Sequence, residues 1–301
     1  MKEIEIKFKL KQLNIPIEIL DKYNEKHRYY HNLDHIKYML KNCDNITDDL
    51  FLAIIFHDII YDPLKKDNEE KSAEFFSKFK DNENIVQAIL STKDHISKNE
   101  LSEKLIELDL KVLKDDFETF MKFEENIFKE YQMVPYDIYL KERIKVLKKL
   151  NVEDYKIQYV LNRKPKIAIY PGSFNPFHKG HMDILKKAEN HFDKVIIVIG
   201  NNVDKNNKKY TLPKFLKYRE VINFNGLLNE LVKDLNYIPI IRGLRNSEDL
   251  NYEMKQYKFL KDMDSKIEFF NIFSNTEYNH ISSSSIRYLE KFNKHEKYLI
   301  K

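Results

Sequence analysis

The chain changes character at Arg163-Lys164-Pro165, and that change limits what it can fold into. From Glu18 to about Leu161, apolar residues recur at helical spacing, glycine is absent, and proline occurs only at Pro63 and Pro135. Beyond the change, short apolar runs at 166–170, 194–200 and 237–242 alternate with helical or loop segments. Strands separated by helices indicate a parallel sheet. The pattern therefore predicts two domains, an all-α one over residues 1–162 and an α/β one over 163–301. A chain of 301 residues is long enough for two cores. The joining segment, about 152–165, is short and polar, so each half is expected to fold and act independently.

Composition removes several classes of function. The 52 basic and 48 acidic side chains leave a net charge of only +4, which does not suit a nucleic-acid-binding surface. The single cysteine, Cys43, excludes an intrachain disulfide and a multi-cysteine zinc site. Residues 1–13 alternate Lys and Glu with apolar residues and lack the apolar core of a signal peptide. No apolar run approaches the length of a membrane span. A cytoplasmic protein without nucleic-acid or membrane partners is the expectation.

The richest chemistry in the second half lies at Ile169-Tyr170-Pro171-Gly172-Ser173-Phe174-Asn175-Pro176-Phe177-His178-Lys179-Gly180-His181. It follows an apolar run and precedes an amphipathic stretch, which reads as strand, tight turn and helix. Two of the 5 glycines fall in it, where backbone must approach a ligand closely. His178 and His181, three apart where the helix begins, can both face phosphates held at a helix N-terminus. The bland alternative is a glycine turn with two surface histidines. Further along, Lys208 or Lys209 stands in a polar loop after a strand, where open α/β sheets bind ligands, although any solvated loop looks similar. Arg242 and Arg245 flank Gly243 at a strand's end, and guanidinium forks suit phosphate oxygens. Four serines, Ser282 to Ser285, open a helix with Arg287 one turn in, which offers several donors to an anion.

The spacing of His178, Gly180 and His181 resembles the HxGH signature of nucleotidyltransferases. Residues 166–290 resemble the bacterial phosphopantetheine adenylyltransferase family: PGSF-x-P with GH, then RGLR, then Asp249 with Tyr252-Glu253, then ISSS-x-I-R. The resemblance implies a Rossmann-like fold and adenylate transfer from ATP, with Mg2+, to 4'-phosphopantetheine. It implies Ser173 and His181 at the reacting phosphates, where the HxGH spacing also puts His178, and Lys208 or Lys209 with Arg242 on the acceptor phosphate. Phe174, Arg245, Glu253, Ser282, Ser283 and Ser284 would surround ATP. Such families are often hexameric, so a homo-oligomer is expected unless the first half blocks it. The chain departs from the family at Asn175 and His178, where Asp and Thr are usual, and the stretch 211–226 looks shortened. GSFNPFHKGH is closer in wording to nicotinamide-mononucleotide adenylyltransferases, which keeps that acceptor open.

In the first half, His31 and His35 stand at i, i+4, and a His57-Asp58 pair interrupts the apolar run 50–60. A carboxylate there needs compensation, which a metal ion supplies with imidazole and carboxylate as ligands. Asp109 is a second acid in an apolar stretch and could complete the set. The alternative is a His–Asp pair bonded to each other in a core. The order His35, His57-Asp58, Asp109 resembles the HD superfamily of metal-dependent phosphohydrolases, over roughly residues 18–150. Arg28, His31-Asn32, Tyr61-Asp62, Asn68-Glu69, Ser72-Ala73, Thr92 and His95 resemble an uncharacterised bacterial subgroup more narrowly. The resemblance implies His35, His57, Asp58 and Asp109 as ligands of a divalent ion such as Mn2+, Fe2+ or Mg2+. His31, Glu69 and His95 would then hold phosphate, orient water or bind a second metal. Phe128 stands where the subgroup tends to have Arg. A bifunctional enzyme follows from both resemblances; a nucleotide-sensing role for the first half is the rival.

Overall fold

The structure, a computed structural model, describes residues 1–200 and 210–300, so Lys208 and Lys209 lie outside the described residues. The chain divides into two compact units: Met1–Tyr131 with Arg143–Leu161, and Gln132–Glu142 with Asn162–Lys301.

The first unit is mostly helical. Its helices are α1 Glu3–Gln12, a 3-10 turn at Ile17–Asn24, α2 Leu33–Lys41, α3 Asp48–Phe56, α4 Asn68–Phe76, α5 Glu83–Ser91, α6 Glu100–Asp109 and α7 Phe117–Glu130. Helix α8, Tyr136–Lys149, is divided between the units at residue 142, and α9 follows at Asp154–Asn162. Short polar residues begin most of them: the side chains of Asn32, Thr47, Asn82, Asn99 and Asp116 each accept a backbone N–H of the first turn. Helix α3 is the centre, with Leu50 through Phe56 all buried. A helix apolar on every side can only sit inside. Helix α1 departs from the expected start of helical structure at Glu18. Ile4, Ile6, Phe8 and Leu10 alternate as in a strand, yet only Ile6 and Leu10, four apart, are buried, while Ile4 and Phe8 stay 75% and 63% exposed.

The second unit is built on a five-stranded sheet of order β3-β2-β1-β4-β5, every pair parallel. The strands are β1 Ile167–Gly172, β2 Lys194–Gly200, β3 Val221–Phe224, β4 Ile240–Leu244 and β5 Phe269–Phe273. The helices between them are α10 Lys179–Glu189, α11 Leu228–Asp234 and α12 Ser247–Met263, with α13 Ser283–Glu290 after β5. Alternate residues of β1 and β2 enter two different cores. Ala168, Tyr170, Val195 and Ile197 join Ile184 and Leu185 of α10 on one face. Ile169, Ile196 and Val198 join Leu231, Val232 and Leu260 of α11 and α12 on the other. That is a doubly wound sheet, and its strand order reverses between β1 and β4. The crevice beyond the carboxyl ends of those two strands is the natural ligand site.

The second unit also takes in Gln132–Glu142, a segment the pattern assigns to the helical half. Lys194, buried at the start of β2, donates to the carbonyls of Gln132 (2.6 Å) and Val134 (2.7 Å) and lies 2.8 Å from Glu220 Oε2. Burial pushes its ammonium below the ordinary lysine range, and Glu220 opposes that shift.

Candidate functional site

In the α/β unit a cavity of about 380 Å³ opens at the ends of β1 and β4. His178, His181, Arg242, Arg245, Glu253, Ser282 and Ser283 all line it. His178 caps α10 in an unusual way: its ring Nδ1 accepts the His181 N–H at 3.4 Å, and His181 Nδ1 faces the His178 N–H at 3.3 Å. The rings stack, with centroids 3.6 Å apart. A ring nitrogen that accepts a backbone N–H cannot carry a proton, so each neutral imidazole keeps its proton on Nε2. Burial, with Arg245 nearby, pushes His178 down to about 4. Burial, then His178 and Arg245, pushes His181 well below its ordinary value. At neutral pH both are uncharged N–H donors.

The backbone around them is tightly fitted. A Cβ on Gly180 would come within 3.2 Å of the His178 ring, and one on Gly172 within 2.9 Å of the Phe174 ring. Phe174 adopts φ 45°, a strained conformation for a large side chain. That conformation turns its ring edge-on to His181, centroids 5.0 Å apart. A Cβ on Gly243 would meet Ile184 Cγ1 at 2.8 Å, so this glycine lets β4 lie close against α10. Helix α13 is tied to the same turn: Ser283 Oγ donates to the Pro176 carbonyl at 3.1 Å, and Arg287 donates to the Asn175 carbonyl.

The two arginines differ. Arg245 makes a fork with Asp249, Nε and Nη2 donating at 2.8 Å to its two oxygens. Arg242 Nε lies 3.0 Å from Glu253 Oε2, yet the two are not aligned for a hydrogen bond, and both atoms are buried without another partner. Burial raises the Glu253 carboxyl, Arg242 opposes this, and Asp249 adds to the rise. Two expected residues stand apart from the cavity wall: Ser173 is exposed, and the Ser284 hydroxyl accepts from Arg287 Nη2 at 3.0 Å. A second concavity of about 440 Å³, lined in part by Val198, Phe224 and Leu228, shares Pro171, Gly172 and Arg242 with the first.

In the helical unit, His35 on α2, His57-Asp58 at the end of α3 and Asp109 at the end of α6 converge. Ligand atoms of His35, His57 and Asp58 all lie within 4.8 Å of one another. Asp109 Oδ1 is 3.2 Å from His35 Nε2 and 3.9 Å from His57 Nε2. His57 Nδ1 is 2.9 Å from the Ile54 carbonyl, which fixes its proton there and frees Nε2 towards the cluster. Burial opposes charge on His57, but the neighbouring Asp58 carboxylate outweighs it and lifts the ring to about 9. Burial likewise opposes ionisation of Asp58 and Asp109. His57 outweighs it at Asp58 and His35 at Asp109, holding both carboxyls below their ordinary values. The cluster thus needs positive charge, and two imidazole nitrogens with two carboxylates form a donor set that suits a divalent ion.

Around it, His95 adopts φ 60°, and this left-handed turn after α5 brings Nε2 to 3.9 Å from Asp109 Oδ2. Glu69 is half-buried; burial raises its carboxyl and the Asp58 charge adds to that. His31 Nδ1 lies 2.5 Å from Glu130 Oε2, and its ring stacks on Tyr61. Glu130 is the residue that sequence reasoning missed. Its Oε1 accepts the backbone N–H groups of Tyr29, Tyr30 and His31 at 2.7, 2.7 and 2.9 Å, and its Oε2 accepts the Tyr61 hydroxyl at 2.7 Å. Arg28 holds the other side of that loop, donating to the carbonyls of His31, Asp58 and Ile59. Phe128, which departs from the arginine usual in the resembled subgroup, is buried in the helical unit.

Comparison with known proteins gives matches to the C-terminal part. Residues 169–289 match the cytidylyltransferase-like family. A phosphopantetheine adenylyltransferase of Mycoplasma capricolum subsp. capricolum is 43% identical over 139 residues, covering 43% of this chain and 99% of the relative. That of Clostridium botulinum is 39% identical over 138 residues, 42% of this chain and 86% of the relative. That of Cytophaga hutchinsonii is 42% identical over 136 residues, 42% of this chain and 91% of the relative. The sheet order, the paired histidines and the two arginines fall within the matched region. Through this C-terminal part, the chain belongs to the phosphopantetheine adenylyltransferase family.

Proposed function

We propose that the α/β unit transfers adenylate from ATP to 4'-phosphopantetheine, forming dephospho-coenzyme A and pyrophosphate. One observation carries the reading: two neutral imidazole donors and two guanidinium groups line one crevice at the reversal of strand order. In the reaction an oxygen of the acceptor phosphate attacks the α-phosphorus of ATP. The bond from that phosphorus to the bridging oxygen of pyrophosphate breaks in line with the attack. The Nε2–H groups of His178 and His181 donate to the phosphate oxygens on which negative charge grows. Arg245 holds the triphosphate, and Arg242, reached from both concavities, holds the acceptor phosphate. Mg2+ carried with ATP neutralises part of the triphosphate charge. No side chain has to move a proton, so uncharged histidines serve without further activation.

The apolar second concavity leaves room for the acceptor's arm beside Arg242. The hint towards nicotinamide mononucleotide is weakened by the use made of Asn175. Its side chain accepts the Tyr210 N–H at 2.9 Å and its carbonyl accepts from Arg287, so it holds the turn together. The test is kcat/KM for pyrophosphate release from ATP with each acceptor. A higher value for nicotinamide mononucleotide would reverse the assignment, and no turnover with either would end it.

For the helical unit, the reading supported best is an HD-type phosphohydrolase with His35, His57, Asp58 and Asp109 holding a divalent ion. When bound, that ion supplies charge compensation and polarises a phosphate ester. Glu130 fixes His31 beside the cluster, while Glu69 and His95 flank it, so all three can meet substrate oxygens or water. Hydrolysis of generic phosphate esters by the metal-loaded protein separates this reading from a purely sensory role.

A further inference from the structure

We propose that Asp249 is a positioning residue for nucleotide binding, holding the Arg245 guanidinium in one plane so that its remaining donors meet the triphosphate. The inference rests on the adenylyltransferase reading of the α/β unit. Asp249 stands in the first turn of α12, whose cap Asn246 accepts the Asp249 N–H at 2.9 Å. Its carboxylate turns back towards β4. Oδ2 accepts both the backbone N–H of Arg245, at 2.9 Å, and Arg245 Nε, at 2.8 Å. Oδ1 accepts from Nη2 at 2.8 Å.

Two parallel bonds define the guanidinium plane, and the third anchors the carboxylate through the backbone. A guanidinium has five N–H donors. Asp249 takes one on Nε and one on Nη2, and the Ile281 carbonyl, 3.4 Å from Nη1, takes a third weakly. The donors left over sit on the outer edge of a side chain that is 36% exposed and lines the cavity. Arg242 gives the contrast: its carboxylate partner, Glu253, stands one helical turn after Asp249, yet those two side chains form no aligned bond. Only Arg245 is locked. An alternative in which Asp249 is a plug that phosphate must displace gives the opposite sign, and the bond to the Arg245 backbone N–H, which an entering phosphate would not need to break, favours holding over plugging.

The test uses the full chain with Asp249→Asn, Asp249→Glu, Arg245→Lys and the double variant Asp249→Asn/Arg245→Lys. Steady-state kinetics with ATP and 4'-phosphopantetheine is read beside equilibrium binding of ATP alone. Asp249→Asn should raise KM and Kd for ATP about tenfold, the scale of a lost charge-assisted bond. KM for the acceptor should change less than about twofold, and Asp249→Glu should recover part of the ATP affinity. The double variant should be little worse than either single change, since both act through one group. Unchanged or tighter ATP binding by Asp249→Asn overturns the proposal, as does an equal loss for both substrates with additive single effects. If the wild type binds ATP but transfers adenylate to neither acceptor, the adenylyltransferase reading falls. The dependence of ATP Kd on Asp249 then still decides the inference, and a wild type that binds no ATP overturns both.

Discussion

In the α/β unit, His178 and His181 lie beside Arg245 and accept backbone N–H groups, and burial drives both far below the ordinary histidine range. In the helical unit, His57 is buried and His31 half-buried, but they lie against Asp58 and Glu130, and those carboxylates lift both rings above it. One side chain therefore serves two opposite purposes. Among cations it is a neutral donor suited to phosphate; among carboxylates it carries a proton where a metal ion's charge could stand. The local field, not the residue type, tells an anion site from a cation site.

The largest effect that sharpens this contrast is expected at His181. Its replacement by Ala removes one Nε2–H donor and the ring that stacks on His178, so kcat for pyrophosphate release should fall by about 10²–10³-fold. The fold should survive, since the packing partners Phe174 and Phe177 remain. Turnover within about twofold of wild type would break the anion side of the comparison. On the cation side, wild-type protein loaded with Mn2+ or Fe2+ should retain a divalent ion through gel filtration. His57→Ala combined with Asp58→Ala should lose at least about 100-fold in affinity, because two ligands go at once. Elemental analysis showing no ion in the loaded wild type would leave a His–Asp core cluster instead.

A smaller effect concerns where the units divide. A fragment 163–301 lacks the Gln132 and Val134 carbonyls and leaves the buried Lys194 ammonium with Glu220 alone. It should be about 3 kcal/mol less stable than a fragment beginning at 132, given what hydrogen bonds to a charged group contribute. Equal thermal midpoints for the two fragments would show that the segment is dispensable.

The smallest effects are in pH, and their signs are opposite. His178 titrates at about 4 folded against 6.5 unfolded, so its contribution is present above pH 6.5 and is lost as pH falls towards 4. His57 titrates at about 9 folded against 6.5, so in metal-free protein its contribution is present below pH 6.5 and is lost as pH rises through 9. Hydrogen exchange followed unit by unit should show protection failing first in the α/β unit on the acid side and first in the helical unit on the alkaline side. The same order in both directions would refute the contrast.

Much of this was legible in sequence because the signals are local. The turn 169–181 carries its strand, glycines and histidines within thirteen residues, and α3 betrays its burial by unbroken apolarity. What was not legible depends on distant partners. Glu130 looks like an ordinary residue near a helix end, and its bonds run to residues about a hundred positions away. Strands β3 and β5 are short edge strands with few fully buried residues, so their apolar pattern is weak. The place of Gln132–Glu142 is set by the buried Lys194, which only the fold brings to it. Ser282 and Ser284 look equivalent in a serine run, but helix geometry directs one to the cavity and the other to Arg287.

The most direct test of the central claim is long-range proton–nitrogen NMR of the histidine rings in metal-free protein at pH 7. It reports charge and tautomer ring by ring. His178 and His181 should be neutral with the proton on Nε2, and His57 should carry protons on both nitrogens. A charged His181, an Nδ1 proton on either cavity histidine, or a neutral His57 would contradict the account.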